Sequence, residues 1–137
     1  MAAYQKFNAT ILDLASKKHD FNNDVFKFML TNSAPVATNS VKTDLTEITA
    51  GNGYIAGGST VGTTATQTGG TLSVTPSADV TITASGGTVG AFRYVVLYND
   101  TTAGKPLVSF YDYGSSITLN NAENFVIDVA ATLFTAS

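Results

Sequence analysis

The chain has 137 residues, 44% apolar, so it is one domain's worth, long enough to bury a core and too apolar to be disordered. Charged residues make up 12%, roughly half the usual share, and the absence of cysteine excludes disulfides and thiolate metal sites. Seven basic against ten acidic residues, a net charge of -3, argue against a nucleic-acid binder that neutralises phosphates.

The N-terminus, Met1 to Lys6, is followed by no apolar run of signal-peptide or membrane-span length, so neither export by the usual route nor a membrane partner is expected. The sequons Asn8-Ala9-Thr10 and Asn99-Asp100-Thr101 then read as chance matches. Phe7, Ile11, Leu14, Ala15 and Lys18 recur at helical spacing, which fits an amphipathic helix over roughly 5–17. An extended arm fits Asn8 to Leu12 equally well, and the pattern leaves both open.

Val25 to Thr31 is a short aromatic strand, broken by Asn32-Ser33-Ala34-Pro35. Asp44-Leu45-Thr46-Glu47 has the form of a capping box, and with Gly51 beyond it predicts a short helix near 45–50. Residues 51–70 hold seven glycines and are expected to form a long loop with at most a short strand. Thr71 to Thr75 and Val80 to Ala84 alternate as half-buried strands. Phe92 to Tyr98 reads as a central strand and Leu107 to Asp112 as its hairpin partner. Tyr113-Gly114-Ser115-Ser116 is expected to turn the chain before Ile117 to Leu119, and Phe125 to Val129 runs on towards Phe134. Seven or eight short strands predict an all-β antiparallel sandwich or barrel, and eight strands in two sheets would be jelly-roll-like. The expected organisation is an N-terminal arm or helix over 1–20 and a single β-sandwich domain over 21–137.

The motifs that would carry chemistry are incomplete. Gly51-x-Gly53-x-x-x-Gly57 is one residue too long for a dinucleotide fingerprint. Gly53 and Gly58 have the P-loop spacing, but Ser59 stands where lysine is required. Asp20-x-Asn22-x-Asp24 begins like a calcium loop, yet Val25 and Thr31 occupy the glycine and glutamate positions, so a polar turn is expected. His19, the only histidine, lacks a nucleophile-elbow pattern beside it and is expected to be an ordinary surface or turn residue. No catalytic residue, cofactor or metal is predicted.

Arg93 is the only arginine and falls in the central strand. A structural ion pair with Asp112 or Asp128 is expected, the alternative being an exposed Arg93 that touches a neighbouring subunit. Phe92, Tyr94 and Tyr98 share one face by parity, and with Phe110, Tyr111 and Tyr113 read as core, a sugar-stacking platform being the alternative. Tyr4, Phe7, Ile11, Leu12 and Leu14 are apolar residues ahead of every clear strand, and are expected to form an intersubunit arm.

Two stretches carry a resemblance. One runs from Phe28-Met29-Leu30-Thr31-Asn32-Ser33-Ala34-Pro35 to Val41 and continues from Asp44 to Gly58. The other is Phe92-Arg93-Tyr94-Val95-Val96-Leu97-Tyr98-Asn99-Asp100, followed by Tyr111 to Leu119. They resemble a group of small virion structural proteins of tailed bacteriophages and prophages. The resemblance implies a capsid decoration or cement protein on the head surface, made in the bacterial cytoplasm, with the major capsid protein and copies of itself as partners. It carries no catalytic residues to transfer. A head-fibre, tail or baseplate subunit is the alternative, and a carbohydrate-binding module a second one.

Overall fold

The computed structural model describes residues 3–129 and 132–136. In chain order they form β1 (Ala3–Lys6), α1 (Thr10–Ala15), β2 (Phe26–Thr31), a single 3-10 turn (Lys42–Asp44), β3 (Ser59–Val61), β4 (Thr63–Thr68), β5 (Thr71–Pro76), β6 (Val80–Thr83), β7 (Val89–Asn99), β8 (Leu107–Leu119), β9 (Asn124–Ile127) and β10 (Phe134–Ala136). Strands hold 49% and helix 7% of the described residues, so the fold is all-β, with antiparallel sheets.

A five-stranded sheet has the order β1-β8-β7-β2-β3. Three strands, β10-β5-β4, form a second sheet, and β6 pairs with β9 alone. Along β2, Phe26, Phe28 and Leu30 face one side and Lys27, Met29 and Thr31 the other. The first side joins Val95, Leu97, Val74, Ile82, Ile127 and Phe134 in the larger core, to which both smaller sheets contribute. Met29, on the second side, packs with Phe7, Leu45, Val96, Tyr98 and Leu107 in a smaller core. Burial on both faces is why β7 reads as a nearly unbroken apolar run.

The smaller core is covered by two connections. Asn8 N–H donates to Ala37 O at 2.9 Å, Leu107 N–H to Ser40 O at 2.9 Å, and Ile48 N–H to Leu30 O at 3.1 Å. These bonds fasten the first turn of the chain and residues 36–48 over that face.

Several expectations change here. Residues 3–6 pair with β8 in the register Ala3↔Asp112 to Lys6↔Ser109, and α1 follows after a short turn, so one segment is extended and then helical. The predicted helix at 45–50 is replaced by the 3-10 turn at Lys42–Asp44, with Leu45 already extended. Asp44 Oδ2 accepts from the N–H groups of Ser40 and Val41 at 2.9 and 3.2 Å, so it closes the turn before it and caps nothing after it. The glycine-rich segment becomes β3 and β4 in its second half, where Gly62 alone separates two strands of different sheets. A Cβ at Gly62 would lie 2.5 Å from Ser77 Oγ. β8 runs unbroken through the predicted turn at 113–116, because Gly114 takes φ +85° without leaving the strand.

The β7–β8 register shifts between Phe92 and Tyr94. That bulge reverses the parity beyond it. Phe92 therefore lies in the larger core, while Tyr94 and Tyr98 lie in the smaller one. The aromatic residues do not form a single face.

Candidate functional site

The densest polar cluster is centred on Glu47. Thr31 and Glu47 form an antiparallel bridge, which brings the carboxylate against β2. Its Oε2 accepts from the Tyr54 hydroxyl at 2.5 Å and from Gly57 N–H at 2.7 Å. Its Oε1 lies 3.2 Å from Lys42 Nζ, and the Glu47 side chain is only 17% exposed. Tyr54 also accepts from Leu30 N–H at 3.0 Å, and the Tyr98 hydroxyl donates to Gly57 O. The Lys42 ammonium sits 5.6 Å from the Tyr98 ring centroid.

Burial, together with the bond to Glu47, pushes the Tyr54 phenol well above its ordinary range, and burial does the same for Tyr98. Both hydroxyls stay neutral and keep their protons for donation. The cluster fastens Gly51 to Gly58 against the five-stranded sheet. Asp44-x-x-Glu47 was visible in the sequence, but its glutamate serves Tyr54 and Gly57 and not a helix cap. Nothing in the spacing singled out Tyr54.

Glu47→Ala strands Tyr54 and Gly57 without their acceptor and is expected to lower stability by about 2–3 kcal/mol in urea denaturation. Glu47→Gln keeps one acceptor oxygen and is expected to lose less.

A second cluster surrounds Asn99, which is fully buried at the end of β7. His19 is buried as well, 4% exposed, beside the stacked rings of Phe21 and Phe26 at 5.3 and 5.8 Å. This replaces the expected surface histidine. The turn at 20–24 is closed by Asp20, which accepts from Asn22 N–H, Asn23 N–H and Asn23 Nδ2; these bonds hold its carboxyl below the usual range. Asn22 pairs its side-chain amide with Ala65 on the free edge of β4, at 2.9 and 3.4 Å. An open cleft of about 390 Å³ beside these residues is lined by Leu14, Lys17, His19 and Phe21 among others.

Burial lowers the His19 pKa; Asp13, the Leu107 carbonyl and Asp24 oppose that shift, and Lys18 adds to it. With the folded value below the ordinary 6.5, the unfolded chain binds more protons in between. The His19 contribution is therefore fully present above pH 6.5 and is lost as pH falls from there through the folded pKa. Thermal unfolding in the native protein is expected at lower temperature at pH 5 than at pH 7.5, and His19→Asn is expected to flatten that difference.

Arg93 meets Asp112 in a two-pronged pair, Nε–Oδ1 at 2.8 Å and Nη2–Oδ2 at 3.2 Å. Asp128, exposed just after β9, is not part of it. The side chains are 38% and 30% exposed, so the pair is not internal. The guanidinium and Gly114 N–H hold the Asp112 carboxyl below its ordinary range. A half-exposed pair is largely screened by solvent. Arg93→Ala is expected to move the urea midpoint by less than any core substitution named below, and by less still in high salt.

The five residues of the expected arm separate. Phe7 is fully buried, and Tyr4 and Leu14 pack against the larger core, with the Tyr4 ring 5.2 Å from that of Tyr111. Ile11 and Leu12 are exposed at 38% and 68%. Residues 3–20 thus contribute to the same packed domain, because β1 needs β8 as its partner and Phe7 fills the smaller core.

Among the described residues, no group of three histidine, aspartate or glutamate side chains gathers to hold a metal ion. No family model, curated protein or solved structure matches the chain.

Proposed function

We propose that this chain is a structural protein of a bacteriophage virion, a decoration or cement protein that binds the outside of the head. The observation that carries the reading is the use made of the polar side chains capable of chemistry. Glu47 holds Tyr54 and Gly57, Asp20 and Asp44 close their own turns, Asn99 holds two turns together, and Asp112 holds Arg93. Each is engaged within the fold, in closing a turn, pairing two strands or fastening a connection to the sheet.

The stretches that resemble phage proteins supply most of β2, most of the connection up to Gly58, and most of β7 and β8, the centre of the fold. The smaller sheets lie over one face of that centre, and we read the arrangement as a jelly-roll-like sandwich. Thr64↔Thr75, Thr66↔Ser73 and Thr68↔Thr71 place hydroxyl pairs across β4 and β5, an uncharged face suited to a protein surface. Binding to the assembled shell and not to its opened form would stabilise the shell by mass action. The partners in this reading are the major capsid protein and further copies of the chain, assembled in the bacterial cytoplasm.

The test is the copy number and position of the chain in purified particles of the phage that encodes it, by quantitative mass spectrometry and electron cryomicroscopy. Many copies spread over the head are expected. A few copies at a vertex or the tail would favour a fibre, tail or baseplate subunit, and absence from the particle would overturn the reading.

A further inference from the structure

We propose that the contact between His19 and Asn99 is a proton-sensitive latch, which holds residues 16–24 against the turn at 99–102. The inference is independent of the virion reading.

The neighbours of the Asn99 amide fix its direction. Its Oδ1 accepts from Thr101 N–H at 2.9 Å and from Thr102 N–H at 3.2 Å. Its Nδ2 faces the Lys18 carbonyl at 3.0 Å, Asp24 Oδ2 at 2.8 Å and His19 Nδ1 at 3.3 Å. Backbone N–H groups only donate, and a carbonyl or carboxylate oxygen only accepts. Turning the amide over would set like against like at four contacts. Asn99 therefore presents Nδ2 to His19. Nδ2 shares two hydrogens among three neighbours and has no lone pair to accept from the ring, so the facing Nδ1 carries no hydrogen and the neutral ring is protonated on Nε2.

A proton added at Nδ1 would point at the N–H of Asn99. Flipping the ring gives no relief, since it sets Cδ2–H, which has no lone pair, against the amide. Nε2 is itself buried and closes no hydrogen bond, although the Leu107 carbonyl is near enough to favour the charged ring. The charged groups acting on the ring are Asp13 from α1 with Asp24 and Lys18 from its own loop; β2 brings Phe26, β7 the Asn99 amide and β8 the Leu107 carbonyl. Asp13 is engaged with Lys18 at 3.4 Å, and Asp24 Oδ2 already accepts from Asn99 and from Asp20 N–H.

The cation and the closed latch are thus incompatible. Protonation swings the Asn99 amide away, which releases Thr101 and Thr102 from Oδ1 and Lys18 from Nδ2. Residues 16–24 then loosen while the ladders of the five-stranded sheet persist. The device makes this side of the domain respond to acidification below neutral pH.

The test is NMR on uniformly 15N-labelled full-length protein. Long-range imidazole spectra at pH 7.5 should show hydrogen on Nε2. Between pH 7.5 and pH 5.0, exchange protection of the Thr101 and Thr102 amides should fall several-fold relative to Val96. In His19→Asn, which keeps an acceptor but does not titrate, that ratio should hold steady. Hydrogen on Nδ1, an unchanged ratio in the native protein, or the same fall in the variant would overturn the proposal. If the variant does not fold, the tautomer and ratio in the native protein decide alone.

Discussion

Gly58→Ala is expected to be among the most damaging single-methyl changes in the chain, lowering stability by about 3–5 kcal/mol through combined backbone strain and overpacking. Gly58 sits at φ +91°, and a Cβ there would lie 1.9 Å from Phe28 O, 2.6 Å from Phe28 C and 2.9 Å from Met29 Cα. The obstacle is the backbone of β2, which cannot swing aside as a flexible side chain would. Gly69 provides the control: its φ is +58° and nothing lies within 4 Å of its Cβ position. Gly69→Ala is expected to cost only about 1–2 kcal/mol, the price of the left-handed conformation. Urea midpoints of the two variants, measured side by side, separate the clash from the conformational effect. Equal losses would mean that Gly58 is not pressed against β2.

The second large effect lies at the N-terminus. Phe7→Ala empties a fully buried position between Phe110 and the rest of the smaller core and is expected to cost about 3–5 kcal/mol. Phe7 N–H donates to Val108 O at 3.1 Å, and the Thr10 hydroxyl donates to the same carbonyl at 2.7 Å. Deleting residues 2–18 would remove β1, Phe7 and α1 together and uncover Met29, Val96 and Leu107. The truncated chain is expected to lose its cooperative urea transition. A truncated chain that folds cooperatively, yet fails to self-associate, would restore the intersubunit-arm reading of Tyr4, Phe7, Ile11, Leu12 and Leu14.

The β-rich class and most strands were legible because alternation in β5 and β6, and continuous apolar runs in β2 and β7, are direct signals of one-faced and two-faced burial. The N-terminal segment was not, since Tyr4 and Phe7 find their partners in β8, a hundred residues away. Local propensity also misled at 59–68, where glycines argued for a loop but threonines found ladder partners in β2 and β5. The bulge between Phe92 and Tyr94 left no periodic trace, so parity gave one aromatic face where there are two. Arg93 and Asp112 could be paired from strand pairing, but their exposure could not. The Glu47 and Asn99 clusters depend on contacts across as many as 81 residues of sequence, beyond the reach of spacing rules.

The central claim is that polar side chains fasten the connections of this fold onto its five-stranded sheet, with Glu47 holding the glycine-rich segment as a fixed strap. Native-state hydrogen exchange of Gly57 tests this most directly, because its N–H donates to Glu47 Oε2 at 2.7 Å and to no strand partner. Protection of Gly57 comparable to that of Leu30, and its loss in Glu47→Ala, is the predicted result. Exchange of Gly57 as fast as that of Gly69, in the exposed turn between β4 and β5, would contradict it.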